Sequence, residues 1–299
     1  MCKNNSFFND IPKEKTLNYQ IIAPKIRNLM EFYINKTDRS FPYNIIQNNN
    51  ARGMFLTFAN VAKNTYKTII FLCDTMSQDP TRKIEYSISS IPLLRVVLEE
   101  IFTMVFFLDD LDNRVNTYHK SGWRESKIYY DRCVKSYGKN KDWKEWFTKF
   151  RLHLEETKKK FGITEREASN PKKNLPHWPT PGKMKKRIQS PDLKDFMQYL
   201  EDWFYADFSQ ASHLSWPGLA MMGAPFLRTN INKKEGLLRK SRSNCAFYAT
   251  TLIFAFFSEL DNLLAFNNKE ELKYLWTLVS EYWMITKELY EKRYKSLLQ

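Results

Sequence analysis

Residues 51–76 read ARGMFLTFANVAKNTYKTIIFLCDTM. Phe55, Phe58, Val61, Ala62, Tyr66, Ile69 and Ile70 recur there at the three- and four-residue steps that put side chains on one face of an α-helix, and Asp79-Pro80 ends the run. The same period continues outward. Ile21, Ile22, Ile26, Leu29, Met30 and Tyr33 predict a helix over 17–34, closed by Pro42 and Asn48-Asn49-Asn50. Residues 82–108 are helical, with a kink or fresh start at Ser89-Ser90-Ile91-Pro92. Asp112-Asn113 caps a helix reaching about 137, and a further helix over 141–161 carries Trp143, Trp146, Phe147 and Phe150 on one face. Residues 162–182 hold Asn170-Pro171, His177-Trp178-Pro179 and Thr180-Pro181-Gly182, the marks of an ordered loop. Helices resume over 192–214, over 236–266 and from 270 to the end, with a break at Pro217, Gly218, Gly223 and Pro225. No strand alternation or 30–45-residue repeat competes. The expected fold is all-α: a single multi-helix bundle of about seven or eight long helices without significant sheet. Its expected parts are an N-terminal helix and linker (1–48), a core helical domain (49–267) and a C-terminal helix (268–299). The last, with Trp276, Tyr282, Trp283 and Tyr290, suits packing on the bundle or dimerisation.

Composition agrees with helices. The 299 residues include only 8 glycines, too few for phosphate-cradling loops or many hairpins, while 43% hydrophobic and 15% aromatic content excludes disorder. The net charge is +14 and uneven: between residues 132 and 188, 17 Lys and Arg stand against 6 Asp and Glu. Such a surplus suits a polyanion, and equally a Lys-rich solvated face. Cys2, Cys73, Cys133 and Cys245 are too scattered for a zinc ribbon or a disulfide framework. The polar residues 1–13 lack a signal core, and the apolar run 245–257 is shorter than the ~20 residues of a bilayer span. These features predict a soluble, cytoplasmic protein.

Several constellations can carry chemistry. Arg95 and Glu99, at i and i+4 in an otherwise apolar helix, form an ion pair that serves either packing or function. Ser209 and His213 share a helical face at i and i+4 in YADFSQASHLSWP, residues 205–217. His213, near a helix end, is the best general acid–base group among four histidines; His119 and His153 read as polar surface, and His177 lies in the Pro-rich loop. As a bland alternative, His213 is a capping residue. Asp109, Asp110 and Asp112 suit capping better than Mg²⁺, so no metal and no cofactor is expected. The basic aromatic region contributes Arg132, Lys135, Lys139, Lys158, Lys159, Lys185, Lys186 and Arg187 as nucleic-acid-binding candidates, or as the solvated side of an amphipathic helix. No P-loop, zinc-protease, serine-hydrolase or kinase motif occurs.

Leu94-Arg95-Val-Val-Leu-Glu99, a Trp178-Pro179 segment, and a later helix with Tyr205, Ser209 and His213 followed by a small-residue break together resemble an uncharacterised bacterial helical family, the domain of unknown function numbered 5677, over residues 49–257. The label implies no activity. A looser resemblance is to HEPN ribonucleases, which place Arg and His on one helix as R-x4–6-H; here Phe208 stands five before His213, so Arg95 would supply the cation from another helix. That resemblance implies metal-independent RNA cleavage by a toxin or anti-phage effector acting as a homodimer. His213 would move a proton, Arg95 would stabilise the phosphorane, Glu99 would orient Arg95, and Ser209 would hold the imidazole or a phosphate oxygen. The competing expectations are a non-catalytic basic module that binds nucleic acid or a protein partner, and a small-molecule enzyme with a pocket beside His213.

Overall fold

The computed structural model describes residues 19–73, 84–213, 215–224, 226–227 and 229–299; Cys2 and the Asp79-Pro80 helix end lie outside them. Among the described residues the protein is all-α, without a strand.

Helices α1 (Tyr19–Arg39) and α2 (Ala51–Cys73) pack together. A 3-10 segment, Ile84–Ser90, leads into α3 (Ile91–Leu108), whose Pro92 sits in the first turn, where its missing N–H loses no helical bond. The sequence signal at 89–92 was therefore a helix start. Next come α4 (Leu111–Tyr137) and α5 (Lys144–Lys160). The N-cap position of α4 is Asp110, not Asp112-Asn113. The expected loop at 162–182 contains two short helices, α6 (Glu165–Ser169) and α7 (Pro171–Asn174); the first is opened by a Thr164–Glu167 capping box.

Beyond it lie α8 (Pro181–Arg187), α9 (Pro191–Leu200) and α10 (Ala206–Ser212), the last two joined through a π turn at Glu201–Tyr205. Then follow α11 (Trp216–Gly223), α12 (Ile231–Leu264), α13 (Lys269–Ser280), α14 (Met284–Leu289), a second π turn (Tyr290–Tyr294) and α15 (Lys295–Leu297). The run expected from 270 to the end is thus interrupted.

Helix α12 is the axis of the core. Its residues 244–261 are buried without a break, the polar Asn244, Thr250, Thr251, Ser258, Glu259 and Asp261 included, and it packs mainly on α3 and α2. No described helix is long and apolar enough to cross a membrane. The C-terminal segment packs on this bundle: Trp276 and Tyr294 are fully buried and stack at 4.6 Å. Arg293 brings a bidentate contact to the fully buried Glu259, with Nη2 2.8 Å from Oε2. One continuous core runs from Ile22 in α1 to Leu298 beyond α15. On α2, Met54, Phe55, Ala59, Ala62, Tyr66, Ile69 and Cys73 are buried, while Val61 faces outward: the true face is rotated slightly from the one the periodicity suggested.

Helices α4 and α5 form a hairpin whose base has its own small core of Trp123, Leu154, Ile163 and Leu175. Trp123 donates its indole N–H to the Leu154 carbonyl at 2.9 Å.

Candidate active site on α3 and α10

The first half of α3 buries every side except one stripe, in which Arg95 and Glu99 stand. Helix α10 packs across this stripe. Tyr205, on the π turn before α10, sets its ring edge-on against Phe102 at 5.6 Å, which seats it one turn beyond Glu99. Tyr205, Ser209 and His213 are spaced by four residues and share the face turned toward α3. Phe208 points into the core against Tyr248 at 5.3 Å, so the position five before His213 faces away from the imidazole.

Arg95 is the hub. Its Nε donates to Glu99 Oε1 at 2.7 Å, Nη1 lies 2.8 Å from His213 Nε2, and Nη2 donates to the Tyr205 hydroxyl at 3.3 Å. The guanidinium carbon lies 5.4 Å from the centre of the Tyr205 ring. A guanidinium only donates, so His213 Nε2 is the acceptor in this contact. Tyr205 completes the circuit by donating to Glu99 Oε1 at 3.4 Å. Burial is the main cause that holds its phenol above the ordinary tyrosine value; Arg95 pulls the other way, and Glu99 adds to the rise. The Ser209 carbonyl accepts the backbone N–H of His213 at 3.1 Å, which braces the turn that carries the imidazole. The Arg95 side chain is 18% exposed, Glu99 43% exposed, and His213 lies at the surface.

The turn that carries His213 is held from the far side. His213 occupies the C-cap of α10. Ser215, the N-cap of α11, donates its backbone N–H and its hydroxyl to the Gln210 carbonyl, each at 3.2 Å, and accepts from Gly218 N at 3.4 Å. A Cβ on Gly218 would stand 2.1 Å from the Gln210 carbonyl oxygen. Gly218→Ala must push α11 off α10; such overpacking is worth about 1–3 kcal/mol, and Tm should fall by several degrees. Thermal unfolding checks this, and an unchanged Tm would mean that the close approach is not required.

The remaining sequence candidates fall elsewhere. Asp109 pairs with Arg114 and accepts from Gln189 N and Ser190 N at 3.0 and 3.2 Å, so it anchors the start of α9. Among the described residues no group of three or more acidic, His or Cys side chains is placed to hold a metal ion. His119, expected on a polar surface, is buried and stacks on Phe161 at 4.6 Å; burial, helped by Lys160, lowers it to about 4. The basic set divides. Arg132 and Lys135 lie on the outer part of α4 and Lys139 in the turn after it, Lys158 and Lys159 lie in the last turn of α5, and Lys185, Lys186 and Arg187 belong to α8. Lys158 is taken up by Glu165 at 2.6 Å, and Lys185 by Glu201 and Gln198. Tyr205 was legible on the His213 face at i−8 but carried no role in the sequence reading, because its partners sit on another helix.

Fold and site define a helical bundle that displays an Arg–His–Tyr–Glu cluster at its surface. Residues 54–225 match the model of the family of unknown function DUF5677, and the chain belongs to that family. Arg95, Glu99, Tyr205, Ser209 and His213 all lie inside the matched stretch. Neither a curated protein nor a solved structure matches the chain.

Proposed function

We propose that this protein cleaves RNA by metal-independent transesterification at the Arg95–His213 site. One observation carries the reading: two side chains 118 residues apart meet at 2.8 Å on an accessible face. The cluster can be reached by a ligand, since His213 lies at the surface and Glu99 is 43% exposed.

An arriving phosphodiester takes the Nη N–H groups of Arg95, which also carry hydrogens not engaged by His213 or Tyr205. His213 Nε2 is thereby freed and accepts the proton of the ribose 2′-OH. The 2′ oxygen bonds to phosphorus as the bond to the 5′ oxygen breaks. Tyr205, kept protonated by burial, gives its proton to the departing 5′ oxygen. Arg95, fixed at Nε by Glu99, stabilises the charge that develops on the phosphoryl oxygens. The products are a 2′,3′-cyclic phosphate and a 5′-hydroxyl. The imidazolium returns its proton to solvent and the phenolate regains one. Trp216, 81% exposed on the first turn of α11, offers a nearby base a stacking surface.

In this reading RNA is preferred over DNA, because the nucleophile is the 2′-OH. The wider setting is a cytoplasmic toxin or anti-phage effector that works as a homodimer. Labelled RNA and DNA of one sequence, incubated with the protein in EDTA, form the test. RNA cut to cyclic-phosphate ends with DNA intact is the expected result. DNA cut equally well, or uncut RNA across varied sequences, would remove the proposal.

A further inference from the structure

The outer end of the α4–α5 hairpin is built unlike the rest of the surface. Past Trp123 the α4 helix runs on to Tyr137, a rise of about 20 Å, and α5 returns alongside it. Between them lies a ladder of aromatic rings: Tyr130 stacks on Phe150 at 5.7 Å, Trp146 meets Tyr129 edge-on at 6.2 Å, and Tyr137 stacks on Trp143 at 5.4 Å with planes 17° apart. A buried core would explain such rings, but these open to solvent: Tyr137 is 52% exposed and Trp143 39%.

The tip is also cationic. Lys127 and Lys149 are matched by Asp131 and Glu145. Arg132, Lys135, Lys139, Lys141 and Lys144 form no ion pair with a carboxylate among the described residues, and Arg132 instead lies 5.5 Å over the Tyr129 ring. Away from the tip Lys120, Lys158 and Lys185 each have an acidic partner, while Lys159, Lys160, Lys186 and Arg187 form no ion pair among the described residues, so the tip is singled out by unpaired cations together with exposed rings.

We infer that the hairpin tip binds single-stranded nucleic acid, with bases stacking on the Tyr137–Trp143 pair and phosphates met by the surrounding unpaired cations. Flat aromatic faces flanked by free cations match a strand whose bases are unstacked and whose backbone is anionic. A duplex hides its base faces and an anionic membrane has none, so neither calls for a stacked ring pair at the tip. This site does not depend on the cleavage reading, since a protein without catalysis would still carry it.

The experiment is fluorescence anisotropy of a 5′-labelled 20-nucleotide oligo(U), using full-length His213→Ala so that cleavage cannot intrude. Tyr137→Ser/Trp143→Ser is expected to weaken binding by at least about tenfold, and Tyr137→Phe/Trp143→Phe to retain it. Lys135→Gln/Lys139→Gln/Lys141→Gln should make the salt dependence shallower by about 2 in log–log slope. That surface variant decides the question if the aromatic one loses its helicity. Unaltered affinity and slope in the variants would overturn the inference. So would binding to phosphatidylglycerol vesicles without binding to oligo(U), or a dimer dissolved by the Tyr137/Trp143 double change. Intact oligo(U) binding with no RNA cut by the unmodified protein would sink only the cleavage proposal.

Discussion

Replacing His213 with alanine is expected to slow RNA cleavage by ~10²–10⁴-fold, the usual contribution of a positioned proton-transfer group. The fold should hardly notice. His213 is at the surface, its backbone N–H keeps its bond to the Ser209 carbonyl whatever the side chain, and water can replace the imidazole at Arg95 Nη1. Tm should therefore stay within about 1 °C, as for surface substitutions generally. The pairing of a large kinetic loss with unchanged stability is what separates a catalytic imidazole from a capping one. Arg95→Lys sharpens the test. A lysine keeps one positive charge but cannot hold Glu99, His213 and Tyr205 at once, because its ammonium is a single point and the guanidinium is a planar fork. Cleavage should fall almost as far as in His213→Ala. Retained activity in the histidine variant would remove the mechanism, and full activity in the lysine variant would reduce Arg95 to a general electrostatic role.

Each half of this cluster is legible in the sequence. Arg95–Glu99 and Ser209–His213 are local i, i+4 pairs, and local spacing is what periodicity reports. Their meeting is not legible, because it depends on how α10 crosses α3, and that crossing is set by Phe102, Phe204, Phe208 and the helix α12 behind them. The π turn at Glu201–Tyr205 is equally silent: it inserts one extra residue into an otherwise regular apolar pattern and thereby sets the rotation of Tyr205. All-α architecture was legible because α2, α3 and α12 repeat one period over many turns. The burial of His119 was not, because its partner Phe161 lies 42 residues further on, at the end of α5.

The basic segment teaches the complementary point. Composition marks a surplus of positive charge but cannot say which cations have partners. Lys158 and Lys185 are paired with Glu165 and Glu201, which come from later elements, whereas Arg132, Lys135 and Lys139 on the hairpin, and Lys159, Lys186 and Arg187 nearer the bundle, form no ion pair among the described residues. A run of like charges thus resolves residue by residue, according to which carboxylates the fold brings back to it.

Glu100 should dominate the pH dependence of stability. It follows Glu99 directly but points about 100° further round α3, where it is 7% exposed and its Oε2 has no hydrogen-bond partner among the described residues. Burial pushes its carboxyl up from 4.5 to about 9, so in the fold it is protonated at neutral pH. Between those two values the folded state holds a proton that the unfolded state releases. Stability is therefore complete below about pH 4.5 and drains as pH rises toward 9, by about 3 kcal/mol at pH 7 and about 6 kcal/mol by pH 9. Glu100→Gln keeps the shape and abolishes the titration. It should raise the unfolding free energy at pH 7 by up to about 3 kcal/mol and flatten the slope between pH 5 and 9. Urea unfolding of both proteins across that range is the measurement. Parallel curves would mean that Glu100 is ionised and solvated in the fold.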